Sequence, residues 1–376
     1  MFFNNQPNSQ KQEYQNFLKI AGCLSNMFSD SEVPYLYYRV AEKVFCRSFL
    51  AEDLSRSDVS ADAKKDSVGI GLKTFLEGND KTFQKIAEFN SARPLYAHLE
   101  SKELIEKVSE LRNARIQFTE NTHKLNNSIY HCILRDSGKF KIFEEPMEKI
   151  DIPNIFVIKE SRNSVLFNDG KNEYSFLLSK STLTKKFITT SIIHEFNVNI
   201  LEDPLLELNK LLKQDNLLLE TEKRIKQTIF LPLYGYRKDK IVFKQSGLNQ
   251  WNAGGRRRHP NEVYIRIPSE IHRKFPNFFP NRDTSFNLKL PDGKKMRSKV
   301  CQDNNKALMS YSNKELGKWI LRDILNLDEG ELLTYKKLEI IGIDSIKIDK
   351  INNSEFEINF SKIGSYEKFV STPIQK

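Results

Sequence analysis

The sequence predicts two domains, an N-terminal α/β domain followed by a mostly β domain. Three observations predict this. The chain of 376 residues is longer than one ordinary core fills. Its first part mixes helix-period and strand-period segments, whereas beyond about Lys226 short strand-like runs alternate with Gly, Pro and Asn. The positive charge is segregated in the same way. The formal net charge is +10, yet Gln227 to Ser310 alone holds 17 Lys/Arg against 6 Asp/Glu, leaving the remainder close to neutral. A field confined to one region suits a module that neutralises phosphates.

At 39% hydrophobic and 11% aromatic residues the chain can build buried cores. No run approaches the roughly eighteen apolar residues of a membrane span. The opening "MFFNNQPNSQKQEYQ" lacks the basic-then-apolar pattern of a signal peptide. Cys23, Cys46, Cys132 and Cys301 are scattered without a CxxC pair, which excludes an obvious zinc site or disulfide framework. The expectation is a soluble protein of a reducing cytoplasm.

In chain order, "PYLYYRVAEKVFCRSFLAEDL" spaces its apolar residues as a helix, with Pro34 near its start. The turn "SRSD" leads into "SADAKKDSVGIGLKTF", residues 60 to 75, which reads as two short strands around "KKDS". "GND" offers a helix start before "KTFQKIAEFN", and a second helix follows over "LESKELIEKVSELRNAR". "SIYHCILRD", "KFKIFEE", "NIFVIKE", "SVLFND" and "EYSFLLSK" read as strands. The Leu-rich span Asp203 to Lys226 reads as a connecting helix or two. Beyond it "QTIFLPLYGY", "DKIVFKQ", "NEVYIRIP", "FNLKLP" and "RSKVCQD" are predicted strands, "NKELGKWILRDIL" a helix and "SIKIDKINNSEFEINF" strand again. The predicted domains are therefore 1–226 and 227–376.

The stretch from residue 60 to 75 carries the first candidate chemistry. Hydrolysis of a phosphodiester needs clustered carboxylates to hold a divalent cation and a lysine beside them. Asp62 and Lys73 fit such a hairpin, and strand alternation puts residues 71 and 73 on one face. Gly71 stands where a second carboxylate belongs. Glu77 shares the parity but lies roughly 13 Å further along. Asp66 falls on the exposed turn. Glu88 then remains, on the helix predicted over "TFQKIAEFN", with Gln84 one turn earlier and Ile86 and Phe89 buried. Asp58 rivals Asp62 for the metal. The plain alternative is an ordinary hairpin, in which an Asp serves turn chemistry and Glu42 lies on a solvated helix face.

At these residues the stretch resembles the PD-(D/E)XK nuclease superfamily, in particular restriction endonucleases whose glutamate has moved from the strand to the following helix. The resemblance implies a mixed sheet with helices. It implies Asp62 and Glu88 as ligands of Mg²⁺, Lys73 as the catalytic lysine and Glu42 as an additional carboxylate. Two departures stand out: no proline precedes Asp62, and Gly71 breaks the usual triplet. A phospholipase-D-type HxK centre is disfavoured because Cys132 and Ile133 follow His131. His98, His123, His131 and His194 have no zinc-like spacing, and GxSxG, GxxxxGK[ST] and HExxH are absent.

The second candidate is "QSGLNQWNAGGRRRHPNEVYIRIP". Gly254 and Gly255 free the backbone between Trp251 and three arginines, so the loop can approach a DNA groove. Arg pairs bidentately with guanine and Asn with adenine. Asn249, Trp251, Asn252, Arg256, Arg257 and Arg258 are the candidate contacts. Gln302, Asn304, Asn305, Lys306 and Ser310 of "CQDNNKALMSYSNKELG" form a second polar arm. Two solvated loops are the bland alternative. Phe275, Phe278 and Phe279 read as core, and Asp292-Gly293 as a tight turn.

Over nearly all of Gln227 to Lys376 this region resembles the recognition domain of NgoFVII-family restriction endonucleases. The shared features are "SGLNQWNAGGR", "NEVYIRIP", "FPNFFP", "LPDGKK", "KVCQDNNKALMS", "LGKWILRDIL" and "GELLTYKKLEIIGIDS". The resemblance implies a B3-like pseudobarrel that reads double-stranded DNA in the major groove through two arms. Together the two resemblances imply a type II site-specific deoxyribonuclease that uses Mg²⁺ and leaves 5′ phosphates. It would cut as a homodimer or in two successive events, with a cognate DNA methyltransferase in the same system. The alternative is a non-catalytic, sequence-specific DNA-binding regulator.

Overall fold

The computed structural model describes residues 1–55, 59–78, 80–215 and 227–372. The chain divides into two compact units: Met1–Ile116 with Leu125–Lys223, and Gln117–Lys124 with Arg224–Lys376. The first mixes α and β structure and the second is mostly β. No described helix is long and apolar enough to cross a membrane.

The first unit opens with α1 (Asn8–Cys23), which was not anticipated, and α2 (Tyr38–Ser48). Then come β1 (Glu52–Asp53), β2 (Ala63–Lys65), β3 (Val68–Leu76), β4 (Lys81–Glu88) and α3 (Ser101–His123). Next are β5 (Asn127–Asp136), β6 (Lys139–Pro146), β7 (Phe156–Glu160), β8 (Ser164–Asn168), β9 (Glu173–Leu177), β10 (Thr182–Ile188), β11 (His194–Asn197) and α4 (Pro204–Asp215). One sheet has the order β1-β2-β3-β5-β6-β11 and the other β4-β10-β9-β8-β7. Among the described residues of this unit only β3 and β5 pair in parallel, with Lys73 opposite Cys132.

Alternation along β3 decides what each face meets. Ile70 and Leu72 join Ala63, Ile133 and Ile142 in a core under α1 and α2, which bring Tyr14, Leu18, Ala41 and Phe45. Phe75 faces the other way, into a core with Tyr130, Cys132, Leu134, Phe143, Met147 and Phe187. At the bottom of the first core Tyr14 Oη lies 3.0 Å from His131 Nε2, and His131 Nδ1 lies 2.9 Å from Glu144. His131 is thereby a satisfied core residue.

The helix predicted over "KTFQKIAEFN" is strand β4. It pairs antiparallel with β10 from Lys81 opposite Ile188 to Glu88 opposite Thr182. Asp80 is left-handed (φ 59°) and the Lys81 amide donates to the Gly78 carbonyl, so the preceding segment is a turn and not a helix cap. Ile86 packs beside Phe187, and Phe89 is fully buried.

The second unit contains β12 (Gln227–Pro232), β13 (Gly235–Tyr236), β14 (Lys240–Ile241), β15 (Ile265–Arg266), α5 (Ser269–Lys274), β16 (Ser285–Lys289), β17 (Lys295–Cys301) and β18 (Ala307–Ser310). It continues with α6 (Glu315–Gly317), a π-helical segment Lys318–Ile324, α7 (Tyr335–Ile341), β19 (Ile343–Lys350), β20 (Glu355–Lys362) and α8 (Ser365–Ser371). Seven strands follow the order β12-β19-β20-β16-β17-β18-β15, and the two end strands approach each other, so the sheet curls into a near-closed barrel. Phe278, Phe279, Phe286 and Phe356 stack within it. "NEVYIRIP" supplies only the two-residue β15, because Asn261 and Glu262 are spent on holding a loop.

Candidate functional site

In the first unit Asp62 sits just before β2, in the hairpin under α2. Its amide donates to the Ile70 carbonyl, and its Oδ2 accepts from the Leu72 amide at 2.8 Å. Ala63 points to the helices, so Asp62 and Lys73 share the opposite side of the hairpin. Burial pushes the Asp62 carboxyl above the usual carboxylate range, against the pull of Lys73 and the Leu72 amide. Burial likewise lowers Lys73, which Asp62 partly offsets. The Lys73 ammonium lies 5.9 Å from the centre of the Tyr130 ring, whose hydroxyl accepts from Arg112 at 2.7 Å.

Glu42, on α2, is 4% exposed and ion-paired with Arg39 at 3.0 Å. Burial first, and the Asp62 charge second, raise its carboxyl. The Asp62 charge thus reaches Glu42, which Arg39 already pairs, while Lys73 lies beside Asp62. Mg²⁺ is commonly held by one or two carboxylates, with water and substrate phosphate completing its shell. Asp62 and Glu42 fit that modest requirement. Among the described residues no group of three or more His, Cys, Asp or Glu side chains could hold a metal.

Glu88 does not join them. It ends β4, half-exposed, paired with Lys85 and accepting from Asn90. The reason is the strand in place of the helix: β4 belongs to the second sheet, so its acid travels with β10. The space before Gly71 is also closed, since a Cβ there would overlap Met147 Cε and press on Tyr130. Gln84 donates to Thr82 on β4, Glu77 holds Lys141, and Asp66 is exposed on a left-handed turn. Asp58 lies outside the described residues.

In the second unit the three successive arginines do different things. Arg256 pairs with Glu262, which is 7% exposed. Arg258 folds back to donate to the Ala253 and Gly254 carbonyls at 2.7 and 2.9 Å. Arg257 is exposed and has no side-chain partner among the described residues. Gly255 is left-handed (φ 94°) with nothing near its Cβ position, which lets the loop turn outward. Trp251 Nε1 is buried without a hydrogen-bond partner among the described residues, and exposed Asn252 donates to the Lys244 carbonyl at 3.1 Å.

Asn249 is not a base reader. It is fully buried, and its amide donates to the Phe243 and Leu333 carbonyls while accepting from the Leu333 amide. Ser310 is likewise buried and accepts from the Leu316 amide. Between them the second loop is real: Gln302, Asn304 and Asn305 all have positive φ, and Asn304 and Lys306 are exposed. His272 contacts the Asn305 carbonyl at 3.0 Å and fixes that loop from behind.

Sequence reasoning missed the groups that shape the first loop. Glu262 gathers Arg256 and Arg258, and its position four residues after Arg258 was the available signal. Arg322 donates to the Pro260 carbonyl and Asn261 Oδ1, and also to the Leu327 and Asp328 carbonyls. That clamp is long-range and leaves no local sequence signature.

No curated protein matches the chain as a whole. Residues 222–352 match the family model of the NgoFVII C-terminal B3-like DNA-binding domain. The match contains the near-closed barrel's first strands, both polar loops and the clamp that holds one of them. The C-terminal part of this protein is a B3-like DNA-binding domain.

Proposed function

We propose that the protein is a sequence-specific duplex-DNA endonuclease that uses Mg²⁺ and leaves 5′ phosphates. The observation that carries the cutting half is Asp62 beside Lys73 on one hairpin, both held partly from water, with the Asp62 charge also felt by Glu42 on helix α2. A divalent cation would offset the carboxylate charge there. Bound there, Mg²⁺ supplies charge compensation at the attacked phosphate and a more acidic water. Lys73 then orients the water toward phosphorus, in line with the departing 3′ oxygen, and Asp62 holds Lys73 charged. The B3-like domain supplies the sequence preference, with Arg257, Asn304 and Lys306 as the available contacts. One such centre severs one strand, so double-strand cleavage calls for a dimer or two successive cuts, and a host would need a methyltransferase to protect its own sites.

A specific observation favours a second reading, a DNA-binding protein that does not cut. Gly71 is packed against Met147 and Tyr130, where the usual acid would stand. Supercoiled plasmid incubated with Mg²⁺ or EDTA separates the two. Linear or nicked product from the wild type with Mg²⁺, lost in Asp62→Asn and Lys73→Ala, supports the endonuclease. Specific binding without cleavage in any divalent cation supports the binding protein.

A further inference from the structure

Beside the DNA-contacting loops the barrel contains a cavity of about 270 Å³. Its wall is apolar where Leu233, Leu248 and Ile265 line it, and all three are buried. Phe243 and Tyr264 add two aromatic rings. The Phe243 ring fits because Gly235 has no Cβ to overlap it, and the Phe243 carbonyl is held by Asn249. Tyr264 is packed against Cys301, Ala307 and Met309. The cavity is thus built before any ligand arrives.

Its polar groups are few, and of these Tyr234 already donates its hydroxyl to Glu367. Ser246 lines it with a hydroxyl that has no partner among the described residues. The only exposed lining residues are Arg266 and Lys306, and neither forms a side-chain ion pair or hydrogen bond among the described residues. Two cations at the exposed side without an ion pair among the described residues, aromatic rings and the Ser246 hydroxyl within, match the parts of a nucleotide. Phosphate meets the cations, a flat base meets the rings, and a base edge meets the hydroxyl. The chain leaves the cavity at Leu248 directly into the first loop, and Lys306 belongs to the second, so DNA engaged by both loops passes over the opening.

We propose that this cavity accepts one nucleotide rotated out of the duplex, with its 5′ phosphate on Arg266 and Lys306. The inference rests on DNA binding by the B3-like domain and not on cleavage. Duplexes selected by the full chain from a random pool, in EDTA, would carry 2-aminopurine or pyrrolocytosine at each position in turn. One position should brighten several-fold on binding the wild type, since a base leaving the stack loses its quenching. Arg266→Ala with Lys306→Ala should remove that rise and weaken binding about tenfold or more, both residues being exposed and so safe for folding. An abasic site at the same position should bind the wild type at least as tightly as the intact duplex. Selective binding with no brightened position would overturn the proposal and leave the two cations as clamps on an ordinary backbone phosphate. Brightening by free deoxynucleotide monophosphates alone would overturn it as well, marking a small-molecule site. If no duplex is selected, DNA binding itself fails, and the cavity's role falls with it.

Discussion

Arg257 and Asn249 lie eight positions apart in one predicted arm, yet they should fail in opposite ways when truncated. Arg257→Ala removes an exposed, unpaired cation, so specific binding should weaken about tenfold while the denaturation midpoint stays put. Asn249→Ala leaves two buried carbonyls and one amide without partners, at a cost of about 2–4 kcal/mol. Fluorescence anisotropy on selected duplex and urea unfolding distinguish the pair. Asp62 and Glu42 make a second residue-scale prediction. Both carboxyls titrate above their ordinary range in the folded protein, burial being the first cause in each. The native state therefore holds their protons more tightly than the unfolded chain. That contribution is complete below the unfolded value of about 4 and is lost as pH rises through the elevated folded values. Without divalent cation, the urea midpoint should fall as pH rises above about 4 more in the wild type than in Asp62→Asn/Glu42→Gln. Adding Mg²⁺ at neutral pH should restore stability to the wild type alone. A wild type and double variant with parallel pH profiles would remove the reason for a cation there.

At the scale of elements, the π-helical segment braces the first polar loop. Arg322→Ala frees four acceptors, two on Pro260 and Asn261 and two on Leu327 and Asp328, so it should loosen the loop and weaken DNA binding, with about 1–3 kcal/mol lost in stability. Protease nicking near Arg257, slow in the wild type, should accelerate in the variant. Gly71→Glu tests the other unit. Met147 occupies the place of its side chain, so the change should cost about 1–3 kcal/mol, and Met147→Ala should recover part of it. Most elements were legible because their signal was local: β5, β6, β8 and β9 are rich in β-branched and aromatic residues, and β16 and β17 meet at a turn that Gly293 makes. Segment β4 was not legible, since its identity depends on β10, which lies about a hundred residues away and went unread as a strand. Lys73 and Asp62 came together as the hairpin pattern implied. The acid expected from Glu88 did not, because which sheet a strand joins is decided by tertiary pairing and not by its own residues. In the two polar loops, residue type pointed to exposed contacts. Only packing revealed that Asn249 and Ser310 face inward and that Arg258 is spent on its own backbone.

Across the whole molecule the charge asymmetry governs encounter with DNA. The first unit and connecting span are close to neutral, whereas Gln227 to Ser310 carries a surplus of eleven positive charges. Binding by six or more phosphate contacts should lose about 10³ in affinity between 50 and 200 mM salt, with a linear log–log dependence. A flat dependence would mean that the positive region does not touch the duplex. The backbone of the second polar loop carries its own consequence for how a DNA-binding protein changes its target. Three of its residues, Gln302, Asn304 and Asn305, hold a twist that most side chains resist, and Asn, Asp and Gly tolerate it best. Drift there is confined to a small chemical alphabet, so a lineage or a laboratory seeking a new target word has more room at Arg257 on the opposite arm.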